Sequence, residues 1–255
     1  MSFVALTISL IFVIIPMILS RAFNLGLGKD TFIATIRSII QLLIVGYLLQ
    51  FVFDAENYIY LSLMVILMIV AATVNTQKKG KSIQGIIWKI VVTFVFIEVL
   101  TQGILIGLKI TPPTAQYIIP ISGMVIGNSM VLGILFLNRF TAELESHQEQ
   151  TELILSLGGT PKQAIHKQLI TSIQASTLPT IEKQKTIGLV QLPGMMSGQI
   201  IAGADPVQAV IFQLLILFLL LTTAVITSIM IGFMSYPTLF NERMQLLDEA
   251  IEASE

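Results

Sequence analysis

Residues 207–234 read VQAVIFQLLILFLLLTTAVITSIMIGFM, a run without one charged side chain. A helix needs about 20 largely apolar residues to cross the hydrocarbon core of a bilayer. In hydrocarbon every backbone N–H and C=O must be satisfied inside its own segment, so a run of this kind is a helix. Working outward, six more stretches approach the same length: Phe3–Ser20, Phe32–Phe53, Tyr58–Asn75, Gly85–Leu108, Tyr117–Leu137 and Thr186–Gly203. The sixth in chain order, Thr186–Gly203, carries Gly188, Pro193, Gly194 and Gly198 and also reads as a broken or re-entrant segment. The expected fold is all-α: a polytopic transmembrane bundle of about seven spans, forming a single domain over residues 1–255.

Composition agrees. Apolar residues make up 55% of the chain and charged residues 11%, against about 45–50% and about 25% in soluble proteins. The formal net charge of −1 gives no polyanion-binding character, and no nucleic-acid partner is expected. There is no cysteine, which removes disulfides, thiolate metal sites and thiol nucleophiles. The first basic residue, Arg21, follows the first apolar run. A secretory signal has the opposite order, so the run reads as a retained span.

Lys and Arg set the orientation. Arg21 and Lys29 follow the first span, and Lys78, Lys79 and Lys81 follow the third. Arg139, Lys162, Lys167, Lys183 and Lys185 lie in the long connection after the fifth, and Arg243 lies in the tail. The intervening connections are poor in base. The solution is an outside N-terminus, an inside C-terminus, and a cytoplasmic segment at 138–185. Within that segment Thr141–Leu157 reads as one helix and Lys162–Ser176 as a second. Gly158, Gly159, Thr160 and Pro161 stand between them, with Thr160 as N-cap and Pro161 in the first turn. The two helices are expected to project as a rigid cytoplasmic hairpin.

Several constellations resemble chemistry and fall short of it. Asn75–Ser82 nearly matches a phosphate-binding loop, but Asn75 replaces the first glycine and an apolar span, not a strand, precedes it. His147 and His166 lack a metal-site spacing. Ionisable groups within spans say more, because a charge at the bilayer centre costs about 2.5–3.5 kcal/mol on insertion scales. Lys89 stands near its helix end and can snorkel to the surface. Arg37 has Gln41 one turn away, and Glu98 has Gln102 one turn away. These four suggest either a polar lining built from spans two and four or a structural hydrogen-bond cluster. Glu98 itself pairs with a base, is protonated, or binds a cation.

Two further stretches, Ile121–Met130 and Leu192–Gly198, combine Gly and Met with polar groups. Gly123 with Gly127, and Gly194 with Gly198, form G-x-x-x-G pairs suited to close helix packing. Alternatively, Asn128, Met195 and Met196 supply donors along a substrate path, the sulfurs suiting some transition metals.

These stretches, with Glu152–Ala164 and Gly188–Pro206, carry a resemblance over nearly the whole chain. The sequence is similar to the FetB-type permeases of ABC transporters, a family linked to bacterial iron export with plant relatives implicated in aluminium tolerance. Glu152 and Gly158 match the opening of the ABC-permease coupling motif, while Leu153 and Ile154 stand where the motif has alanines, and Leu178-Pro179 comes later than the motif's own spacing. The resemblance implies a multi-pass protein of the bacterial cell membrane, not itself an enzyme and binding no cofactor. It also implies a homodimer working with a separate ABC ATPase that holds the ATP. Glu152, Gly158, Gly159 and Pro161 would then form the ATPase contact. The reading from a different class is a secondary carrier or channel for a cation, using Glu98.

Overall fold

A computed structural model describes residues 11–55 and 57–247 and is helical nearly throughout. It divides into two compact units, one up to Asn57 and one from Tyr58 onward.

The first unit holds α1 (Ile11–Ala22) and α2 (Gly28–Ala55), packed on each other. Asn24 and Gly26 take left-handed φ between them. Helix α2 would reach about 42 Å at 1.5 Å per residue, enough to cross a bilayer. Only Val52 of α2 is buried, so its apolar side chains, Phe32, Leu42 and Tyr47 among them, face outward. That is the surface lipid requires. Of the expected first span, residues 3–10 lie outside the described residues, and the remainder is α1.

The second unit holds α3 (Tyr58–Thr76), α4 (Ile86–Gly107), α5 (Ala115–Ser146), α6 (Gln148–Ser156), α7 (Pro161–Thr186), α8 (Gly194–Ile201) and α9 (Pro206–Ser235). Short 3-10 turns follow α3 at Gln77–Lys79 and α9 at Tyr236–Leu239. Helix α5 is the axis, with α3, α4, α7 and α9 packed around it. Phe136 and Phe140 stack at 5.3 Å in a fully buried core with Ile90, Phe94, Leu144, Ile165 and Ile231. Helix α9 comes close to this core at Gly232, where a Cβ would stand 2.7 Å from Leu169 Cδ1 and 2.9 Å from Phe136 Cζ.

Among the described residues five helices are long and apolar enough to cross a membrane: α2, α3 with its 3-10 turn, α4, α5, and α9 with its own. The count of about seven is therefore not reached there. The segment at Thr186–Gly203 is not one span. Ile187 bridges to Gln191, Gly188 has φ +89°, and α8 has only 8 residues, about 12 Å of helix. Proline and glycine interrupt the apolar run, as the broken-segment reading allows.

The helical hairpin also differs from its expectation. Helix α5 continues through Ser146, and the chain breaks at His147 (φ −121°, ψ 26°) rather than running as one helix over Thr141–Leu157. Helix α7 does not stop near Ser176; it continues to Thr186 and carries Pro179 within it. Nor does α7 stand free. It buries Ala164, Ile165, Leu169, Ser172 and Ser176 against α5 and α9. The stripe is narrow and half polar, so composition alone reads α7 as a solvated helix. Against α9 it runs antiparallel and in step. Leu169 lies at Gly232, Ser176 Oγ is 2.9 Å from Ser228 Oγ, and Gln184 Nε2 donates to the Leu217 carbonyl at 2.9 Å. The second half of α7 therefore lies beside the most apolar part of α9.

Candidate functional site

A cavity of about 490 Å³ opens where α5, α7, α8 and α9 meet. Two amide side chains frame it. Gln184 is tied to Leu217 as above, and Asn128 Nδ2 donates to the Leu220 carbonyl at 3.3 Å. A carbonyl has two lone pairs, so each can accept a second hydrogen bond without leaving the α9 ladder. Lys183, Thr180, Gln191 and Gln213 add polar groups, and Met124, Met195, Ile216 and Leu217 add apolar wall. Gln213 is 7% exposed, and its Oε1 has no partner among the described residues.

The cavity exists partly because Gly127 and Gly194 line it. A Cβ at either would meet nothing within 4 Å, and the same holds for Gly198. Gly123 meets only the Met68 methyl, at 3.9 Å. Within this chain the G-x-x-x-G pairs thus do not bring helices together. Gly232 and Gly133 do that instead, a Cβ at Gly133 standing 3.1 Å from Thr76 Cγ2.

The substrate-path candidates divide into three places. Asn128 and Met195 line the cavity. Met196, half-buried on α8, is outside its lining. Glu98 and Gln102 of α4 form a separate buried cluster with Ser122 of α5. The Ser122 hydroxyl donates to Glu98 Oε1, and Gln102 Nε2 donates to Ser122 Oγ at 2.9 Å. Glu98 is 6% exposed, and its Oε2 and Gln102 Oε1 have no partner among the described residues. Arg37 and Gln41 lie exposed on α2 of the first unit; the described partners of Glu98 come from α4 and α5. The sequence gives no signal for Ser122 beyond its place in the Ile121–Met130 stretch. Among the described residues no base pairs with Glu98. Lys89, on the same helix, is held elsewhere, its Nζ donating to Thr238 Oγ1 at 2.6 Å and to the Gln84 carbonyl at 2.7 Å.

The expected coupling turn has the anticipated chemistry. Gly158 has φ +87°, a region that glycine enters without steric penalty. A Cβ on Gly159 would lie 2.8 Å from the Ile154 carbonyl oxygen. Thr160 and Gln163 form a capping box: Thr160 Oγ1 accepts from the Gln163 backbone, and Gln163 Oε1 accepts from the Thr160 N–H at 2.9 Å. Pro161 opens α7 with the φ it already prefers. Helix α6 is anchored by buried Thr151, whose Oγ1 accepts from Gln168 Nε2 at 3.4 Å. Its other face is exposed at Leu153 (58%), as is Leu157 (80%) just past its end, and Glu152 accepts from Gln148 Nε2 at 2.9 Å. A groove of about 730 Å³ separates this turn from Asn241–Leu247.

His147 Nδ1 lies 3.4 Å from Glu143 Oε2, and His166 is exposed on α7. Among the described residues no three His, Cys, Asp or Glu side chains gather as a metal site would require. The stretch at Asn75–Ser82 leaves α3 through a 3-10 turn rather than leaving a strand.

The model of the uncharacterised protein family UPF0014 matches residues 3–240. The chain is 50% identical to the UPF0014 membrane protein YjkA of Bacillus subtilis over 96% of its own length and 98% of that protein. It is 38% identical to the probable iron export permease protein FetB of Escherichia coli over 95% and 94%. It is 29% identical to the protein ALUMINUM SENSITIVE 3 of Arabidopsis thaliana over 93% and 87%. No solved structure matches.

Proposed function

The chain belongs to the UPF0014 family, and from that premise we propose that it is the membrane-spanning permease subunit of an ABC transporter. In this reading two copies, in the bacterial cell membrane, export iron or a related metal with ATP hydrolysed on separate ATPase subunits. The name of the Escherichia coli relative, a probable iron export permease, supports the transport class and the cargo. The observation that carries the ATPase partnership is the turn between α6 and α7. Leu153 stands exposed on a short helix whose opposite side is locked to α7, and Leu157 stands exposed just past its end. In this reading the ATPase covers these two side chains.

The test is reconstitution of the purified chain in vesicles, with and without its ATPase and ATP. Metal movement that requires both is the expected result. A second reading, a cation carrier, draws on the Glu98 carboxyl oxygen that has no partner among the described residues. Gradient-driven metal flux by the chain alone, indifferent to ATP, would replace the first reading with the second.

A further inference from the structure

We propose that the cavity between α5, α7, α8 and α9 is the solute-binding site and takes a metal as its hydroxycarboxylate complex, not as a bare cation. The proposal rests on the permease reading and names the form of its cargo.

The lining decides between the two forms. Among the described residues Lys183 is its one charged residue, and no Asp, Glu or His belongs to it. A bare manganese or iron(II) ion asks for carboxylate, imidazole or water ligands. The thioethers of Met124 and Met195 suit softer ions. An ammonium in the lining repels a free cation and attracts an oxyanion.

Lys183 is available for that task. Its neighbours Glu182 and Lys185 pair with each other at 2.7 Å, while Lys183 has no acidic partner among the described residues. Helix α7 also carries it alongside α9. The adjacent Gln184 bonds to Leu217, within the uncharged run of α9.

Gln213 supplies the second half of the recognition. Gln213 belongs to the lining, and its Oε1 is buried without a partner among the described residues, which is unfavourable for an acceptor. An acceptor asks for a donor, as the ligand's hydroxyl would be. Lys183 asks for a carboxylate. One small molecule carrying both groups meets both demands. The cavity volume lies within the usual ~300–1,000 Å³ of small-molecule sites.

The test uses the full chain in lipid nanodiscs without ATP, by equilibrium dialysis against ferric citrate, citrate alone and manganese(II) alone. Ferric citrate should bind, citrate should compete with it, and manganese(II) should not. Lys183→Glu should weaken binding about tenfold or more, Lys183→Gln less, and Gln213→Leu measurably. Lys183 is exposed, so its variants should keep the wild-type helicity and elution volume even if Gln213→Leu does not fold. Failure of the wild type to bind ferric citrate, binding indifferent to Lys183→Glu, or manganese(II) binding that survives that change would each overturn the proposal. Because binding needs no ATPase, these outcomes are separate from those of the vesicle experiment. Lys183-dependent binding without ATP-driven export would reject the transporter reading and leave the site standing.

Discussion

The carboxamide of Gln184 donates to the backbone carbonyl of Leu217 at 2.9 Å, which places a polar helix against the middle of an apolar one. Gln184 lies near the end of α7, a helix rich in Lys, Gln, Ser and Thr, and Leu217 lies in the uncharged run of α9. If α9 spans the bilayer, the second half of α7 shares its depth. Cysteines introduced at Leu157, Gln174 and Thr180 would report this, because the chain has no native thiol. A charged, membrane-impermeant maleimide applied to inside-out vesicles should label Leu157→Cys readily and the other two slowly. Equal labelling of all three would return α7 to the solvent-projecting hairpin expected from the sequence.

The Glu98–Ser122–Gln102 cluster separates stability from transport. Ser122→Ala removes the donor to Glu98 and leaves a buried carboxyl oxygen without its partner, which should cost about 1–3 kcal/mol. Glu98→Gln retains an amide oxygen for Ser122 and should cost less. Thermal unfolding in detergent should therefore rank Ser122→Ala below Glu98→Gln. Transport by Glu98→Gln then decides the role of the charge. Wild-type flux makes the cluster structural, and lost flux in a folded protein makes it part of the path.

Gly232 of α9 and Gly127 of α5 predict opposite results. A Cβ at Gly232 would press on Leu169 and Phe136, and overpacking of this kind costs about 1–3 kcal/mol. Gly232→Val should lower the unfolding temperature. A Cβ at Gly127 meets nothing within 4 Å, and Gly127 belongs to the cavity lining. Gly127→Val should fold as the wild type does and reduce ferric citrate binding by filling space. A reversed pair of results would misplace both the core contact and the cavity.

The sequence announces what depends on continuous apolar runs and hides what depends on a single face. Helices α2, α3, α4, α5 and α9 are legible because each run is long and nearly free of charge. The Thr160–Pro161 cap is legible because its residue types have one local use. Helix α7 is not legible as a packed element: the residues it buries, Ala164, Ser172 and Ser176 with Leu169, are too small and polar to raise an apolar signal. The cavity is hidden for the same reason. Asn128 and Met195 are visible in their motifs. Lys183 and Gln213 read as a surface base and a span residue until α7 and α9 are set side by side.

The Gly158 turn yields the last prediction. At φ +87° a side-chain-bearing residue is strained by its own Cβ, and asparagine tolerates this region better than leucine does. No neighbouring atom lies within 4 Å of a Cβ built there, so the strain is backbone strain rather than a clash. Gly158→Leu should therefore distort the turn between Ser156 and Pro161 without touching the helices long enough to span. Membrane insertion and the unfolding temperature should stay close to the wild type. What should change is the presentation of Leu153 and Leu157, since the turn fixes α6 relative to α7. The expected phenotype is a normally inserted permease that no longer stimulates its ATPase, with Gly158→Asn retaining most of that stimulation. Full stimulation and export by Gly158→Leu would move the ATPase contact away from this turn.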